Sequence, residues 1–252
     1  MSRSAQAHAS TLSRRLRRIV HRLRHDGVRH LVKVASHPRS GTHLAEAFIA
    51  KNFYPERDLA VRPVQWGHWS SRQVDQAGNP YGRLFGGHGF GDPVPLGRAP
   101  AVYIYRDGRA VARSIWRSPH FLSAETKARV TFDEFVRSPL DWHAAPEIRA
   151  TDPVTIAVHW HRHVTSWLEM AQTNQRILVV RFEQLVLEPE VVHRQLHERF
   201  FSGQELRPLV RIDERVGIVP NDGQIDSWRQ AFSTETNAAF CDQLPDTSLL
   251  WT

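Results

Sequence analysis

The chain has 252 residues, 41% of them hydrophobic, and a formal net charge of +7, which allows one domain with a sizeable core. A single cysteine, Cys241, excludes an internal disulfide and a thiolate metal cluster and fits a reducing compartment. Nine basic side chains lie within residues 1–33 against one acid, Asp26, so the rest of the chain is close to neutral and specific nucleic-acid binding is not expected.

The N-terminal arm, residues 1–30, opens with about ten polar residues. From Thr11, the side chains Leu12, Leu16, Ile19, Val20 and Leu23 form one helical face with arginines on the others, and Gly27 ends the pattern. Such a helix either packs its leucine stripe on its own domain or makes peripheral contact with an anionic membrane through residues 11–26. An arginine-rich, acid-poor arm also resembles a mitochondrial presequence. No apolar run reaches the length of a membrane span, and no signal-peptide core is present, so the expected location is cytoplasmic.

Residues 31–252 read as one α/β domain. His30–Val34 is a β-branched strand, and Leu44–Ala50 shows apolar residues at helical spacing. Between them lies Pro38-Arg39-Ser40-Gly41-Thr42-His43, a loop that aims backbone N–H groups and a helix dipole at one point. Gly41 allows close backbone approach, and Arg39 adds a fork of donors. This is an anion cradle suited to phosphate or a similar group. It is not a Walker A loop, because no Lys stands between Gly41 and Thr42.

Residues 52–85 are poorly patterned and hold Trp66 and Trp69. Leu84–Asp92 is a short strand entering a glycine-rich loop around His88. Pro100–Tyr105 is a second clear strand that delivers Arg106-Asp107-Gly108-Arg109, followed by a helix from Ala110 to about Arg117 that carries Ser114. Arg106 either contacts a ligand or pairs with Asp107. Thr131–Val136 is a short capped helix, 138–152 a loop, and Pro153 to about Gln172 a long helix rich in Trp and His. His159 and His163 sit one turn apart, but no third ligand follows at a recognised spacing, so they are read as packed or solvated imidazoles and no metal is expected. Arg176–Glu183 is a third strand, a helix covers about Glu188–Phe201, and a last one Thr234–Leu244. Strand–helix alternation argues for a central parallel β-sheet flanked by helices, with ligands beyond the carboxyl ends of the strands.

Taken together, four segments resemble the PAPS-dependent sulfotransferase family, where PAPS is 3′-phosphoadenosine 5′-phosphosulfate. Pro38–Thr42 resembles its 5′-phosphosulfate loop in an Arg-bearing form. Val102–Ser114 resembles its 3′-phosphate segment, with the family's Arg-to-Ser spacing between Arg106 and Ser114. Val180–Leu185 resembles its third strand end, and Arg215, Gly217, Trp228 and Phe232 its C-terminal segment. The departures are Leu44 in place of an aromatic residue, Phe182 in place of a tyrosine, and Gly86 in place of a lysine before the histidine.

The resemblance implies a fold similar to P-loop nucleotide kinases, PAPS as co-substrate and PAP as product. It implies His88 as general base and Arg39 at the transferring group. Arg39, Ser40, Gly41, Thr42, His43, Arg106, Ser114, Phe182, Arg215 and Gly217 would hold the nucleotide. The acceptor would be a small molecule, lipid or glycan with a hydroxyl or amine. Two rivals remain: a P-loop-type phosphotransferase, and a catalytically inactive PAP-binding or membrane-surface adaptor. Oligomeric state is not legible.

Overall fold

The computed structural model describes residues 31–60, 80–91, 99–118, 120–141, 153–213 and 224–251. The arm helix at 11–26, the tryptophans at 66, 69 and 142, and the candidate ligands Arg215 and Gly217 lie outside the described residues.

Four parallel strands make the sheet: β1 (Lys33–Ser36), β2 (Phe85–Gly87), β3 (Ala101–Tyr105) and β4 (Ile177–Arg181), in the order β2-β1-β3-β4. Val34 pairs with Val102, and Tyr103 with Val179, so the carboxyl ends of β1, β3 and β4 share one edge. The β1–β2 register shifts between Val34 and Ala35, which re-aims the segment that follows β2. Val34, Ala35, Val102, Tyr103 and Ile104 are all buried. A strand covered on both faces reads as an unbroken apolar run, which is why β3 was clear in the sequence.

Helices flank this sheet. They are α1 (Thr42–Phe53), α2 (Gly108–Arg117), α3 (Ala124–Arg129), α4 (Phe132–Arg137), α5 (Ile156–Thr173), α6 (Phe182–Leu187), α7 (Pro189–Leu196) and α8 (Thr234–Cys241). Their starts follow local chemistry. Asp107 caps α2, Ser123 caps α3, Thr155 caps α5 and Ser233 caps α8, while Thr131 and Glu134 form a reciprocal capping box on α4. The main core joins β3, α2, α5 and α8 through Tyr103, Val111, Ile115, Trp160, Val164 and Phe240.

Several elements differ from the sequence reading. The first strand, expected over His30–Val34, is Lys33–Ser36. The third strand ends at Arg181, and Phe182 and Glu183 open α6, because the Glu183 carboxylate turns inward to accept the Asp107 N–H at 2.9 Å. The helix expected over 188–201 is α-helical only to Leu196 and continues as a π-type turn over His197–Phe201, where Phe201 stacks on Phe53 at 4.2 Å. Helix α3 was not foreseen; none of its residues is buried, so it carries no apolar period to read.

Candidate functional site

The site begins where β1 gives way to α1. Arg39 adopts φ 68°, a left-handed conformation that costs free energy in a non-glycine residue. Gly41 follows at φ 95°, and a Cβ there would lie 2.3 Å from the Phe182 ring. Only glycine fits both the backbone and the space. The reverse turn exposes the amino end of α1, whose N-cap, Gly41, supplies no side-chain acceptor. The Ser40 hydroxyl is buried and has no hydrogen-bond partner among the described residues. An open helix amino end beside an orphaned hydroxyl fits an anion with several acceptor oxygens.

His88 reaches the same loop from β2. Its Nδ1 lies 2.9 Å from the Ser36 carbonyl, and the Ser36 hydroxyl lies 2.7 Å from that of Thr42. A carbonyl can only accept, so Nδ1 carries the proton and Nε2 is the basic nitrogen. Burial pushes the His88 imidazole down to about 3, with smaller depressions from His163, His43 and Arg39 and an opposing effect of the Ser36 carbonyl. The ring is therefore neutral across the physiological range.

Beside it, Arg39 Nε donates to Ser114 Oγ at 2.9 Å, which joins the two segments expected to take the two phosphate ends of a nucleotide. Arg106 is 1% exposed, lies 4.5 Å over the Phe182 ring and donates from Nη2 to the Gln224 carbonyl at 2.6 Å. Asp107 pairs with Arg109 rather than with Arg106. Arg109 donates from Nη2 at 2.7 Å and Nε at 3.0 Å, and the Trp251 N–H reaches the same carboxylate at 2.8 Å. His43 Nδ1 lies 3.0 Å from the buried Glu46 carboxylate. Phe182 lies beneath the loop, between Gly41 and Arg106.

Several participants were missed in the sequence. His37, His159 and His163 are fully buried behind the loop. His37 Nδ1 donates to the Pro38 carbonyl at 2.9 Å, so its Nε2 accepts from His159 Nδ1 at 3.0 Å. The one available signal was the recurrence of His159, His163 and Trp167 on a single face of α5.

The sequence profile of the sulfotransferase domain matches residues 94–216. This stretch of the chain is similar to the sulfotransferase domain. The sulfotransferase profile takes in β3, α2 and the segment through β4, while the loop at Arg39–Thr42 joins the site through the β1–β3 pairing. Among solved structures, the fold resembles mouse sulfotransferase SULT7A1 complexed with PAP, at 15% identity over 88% of this chain and 86% of that one, with a TM-score of 0.55. A second resemblance is to retinol dehydratase in complex with androsterone and inactive cofactor PAP, at 16% identity over 87% and 82%, with a TM-score of 0.49. No curated protein matches the sequence. Among the described residues, no group of three or more His, Cys, Asp or Glu is arranged to hold a metal, and no helix is long and apolar enough to cross a membrane.

Proposed function

We propose that the chain transfers the sulfuryl group of PAPS to a hydroxyl or amine of a small-molecule, lipid or glycan acceptor. The observation that carries this reading is the meeting of His88, Ser36 and Thr42 at the open amino end of α1, with Arg39 alongside. In the step itself, the acceptor atom bonds to sulfur while the bond from sulfur to the 5′-phosphate oxygen breaks. The acceptor proton goes to His88 Nε2, and PAP leaves. Arg39, the N–H groups of the loop, Ser40 and Thr42 stabilise the charge that grows on the phosphate side, an effect that preorganised donors supply without reorganisation. His43 stands on the same first turn of α1. Arg106 and Ser114, with Arg215 and Gly217, hold the remote 3′-phosphate, so its binding energy helps to place the sulfate.

The buried position of Asp107 also bears on the phosphotransferase rival. A strand-end aspartate would be needed there for Mg²⁺, and both of its oxygens are engaged by Arg109 and Trp251. The test is a screen of phenols, sterols, glycans and lipids with ³⁵S-labelled PAPS, beside thermal shifts with PAP and with ATP·Mg²⁺. Label transfer and stabilisation by PAP are expected. Stabilisation by ATP·Mg²⁺ alone would replace the reading with a phosphotransferase; PAP binding without transfer to any acceptor would leave an adaptor.

Arg106→Ala is expected to weaken PAP by about 2–4 kcal/mol, the range for breaking a desolvated charge pair. Arg106→Lys is also expected to bind PAP more weakly, since Lys lacks the planar fork. Calorimetry with PAP and with adenosine 5′-phosphosulfate, which lacks the 3′-phosphate, decides the role. Equal losses for both ligands would mean that Arg106, stacked on Phe182, only supports the loop.

A further inference from the structure

The loop that carries His88 has little local means of holding it still. Glycines stand at 86, 87, 89 and 91, and Gly87 lies at φ 140°. Such a segment has wide conformational freedom, so the place of the His88 ring has to be imposed from outside. The Ser36 carbonyl meets the ring itself, and helix α5 holds the backbone of the loop. His163 Nε2 lies 3.0 Å from the His88 carbonyl, Trp167 Nε1 donates to the Gly89 carbonyl at 3.0 Å, and the Gly91 N–H donates to Ser166 Oγ at 2.9 Å. At Gly91 a Cβ would lie 2.4 Å from the Ser166 carbonyl oxygen, so loop and helix backbones touch.

His163 has a definite hydrogen-bond direction. The His88 carbonyl can only accept, so His163 Nε2 bears the proton and Nδ1 bears the lone pair. The Tyr103 hydroxyl lies 2.9 Å from that Nδ1 and therefore donates to it. Both Tyr103 and His163 are fully buried. One directed chain thus runs from Tyr103 on β3, through His163 on α5, to the main chain of His88. Each link leaves its neighbour one hydrogen-bonding option.

We propose that His163, oriented by Tyr103, is a positioning residue that sets the place of His88 against the phosphosulfate loop. The consequence for catalysis rests on His88 being the base; the consequence for loop order does not. His163 touches neither reacting group. It acts through the carbonyl of the residue that does, and Tyr103 keeps it in the tautomer that can donate there.

The test uses the full chain with His163→Ala, His163→Gln and Tyr103→Phe. Three things are measured: amide hydrogen exchange across 86–91, ¹⁵N ring shifts of the histidines, and calorimetric titration with PAP. In His163→Ala, exchange at 87–91 is expected to rise about tenfold or more while the centres of β3 and α5 stay protected, as in local opening. His163→Gln retains an N–H at similar reach and is expected to recover most of that protection. In Tyr103→Phe, the His163 ring is expected to lose its single tautomer. PAP affinity is expected to stay within about twofold in His163→Gln and Tyr103→Phe, since neither residue belongs to the phosphate cradle. Unchanged exchange in His163→Ala would overturn the proposal. So would an equal rise throughout β3 and α5, or no recovery in His163→Gln, since either means that the imidazole only fills space. If the wild-type chain fails to bind PAP, the sulfotransfer reading fails separately, while the exchange measurements still decide the role of His163.

Discussion

His88→Ala is expected to slow sulfotransfer by about 10²–10⁴-fold, the usual contribution of a positioned general base, with PAP affinity nearly unchanged. A base held down to about 3 is weak, and the chemistry accounts for why it still suffices. As the acceptor oxygen bonds to sulfur, its proton becomes strongly acidic. It can then pass late in the step to a weak base that is correctly placed, so geometry counts for more than basicity. Arrival of the phosphosulfate also offsets the Arg39 charge that helps to depress His88. A second consequence separates this base from an ordinary histidine: in wild-type protein the rate should show no inflection near pH 6.5, because His88 stays neutral below it. The measurement is initial-rate kinetics with the acceptor found by the labelled-PAPS screen, on protein whose fold is checked by circular dichroism. A full rate in His88→Ala would remove His88 from the chemistry.

The sequence exposed the parts of the site whose causes are local. A continuous apolar run marks β3, and Gly41 marks the tight turn whose shape Phe182 enforces from across the fold. The arginines at the strand ends were visible as residues, but their partners were not. Arg39 meets Ser114, 75 positions away, and Asp107 turned out to belong to Arg109 and to Trp251, 144 positions away. No periodicity encodes such pairings. The same holds for α6: Glu183 starts a helix because its carboxylate finds the Asp107 N–H, 76 residues earlier. His159 and His163 were read as packed or solvated imidazoles. They are packed, but each also has a defined hydrogen bond, His159 to His37 and His163 to Tyr103 and His88. A buried polar group needs a partner, and here that need ties the helix to the loops it orders.

The buried histidines make a larger prediction about the whole molecule. Burial is the leading cause that depresses His37, His88 and His163, with His88 and His163 both pushed down to about 3. In the unfolded chain each would titrate near its ordinary value of about 6.5. Between those values the unfolded state binds protons that the folded state refuses, so stability is complete above about pH 6.5 and is lost as pH falls. Each histidine contributes up to about 1.4 kcal/mol per pH unit in that window, so three acting together give about 4. Glu183 acts in the opposite sense. Its carboxyl is raised by burial, so the folded state holds a proton that the unfolded state gives up, and one such group offsets only part of three. Against an ordinary domain stability of about 5–15 kcal/mol, the chain is expected to unfold between about pH 3 and 5. Urea denaturation from pH 7.5 down to 5 measures the slope directly. His163→Gln should lower that slope by about one proton, because a glutamine in its place cannot be charged. A stability that stays flat from pH 6.5 to 5 would mean that these imidazoles accept protons in the folded state, against the burial of His163 and the Tyr103 hydroxyl that donates to it.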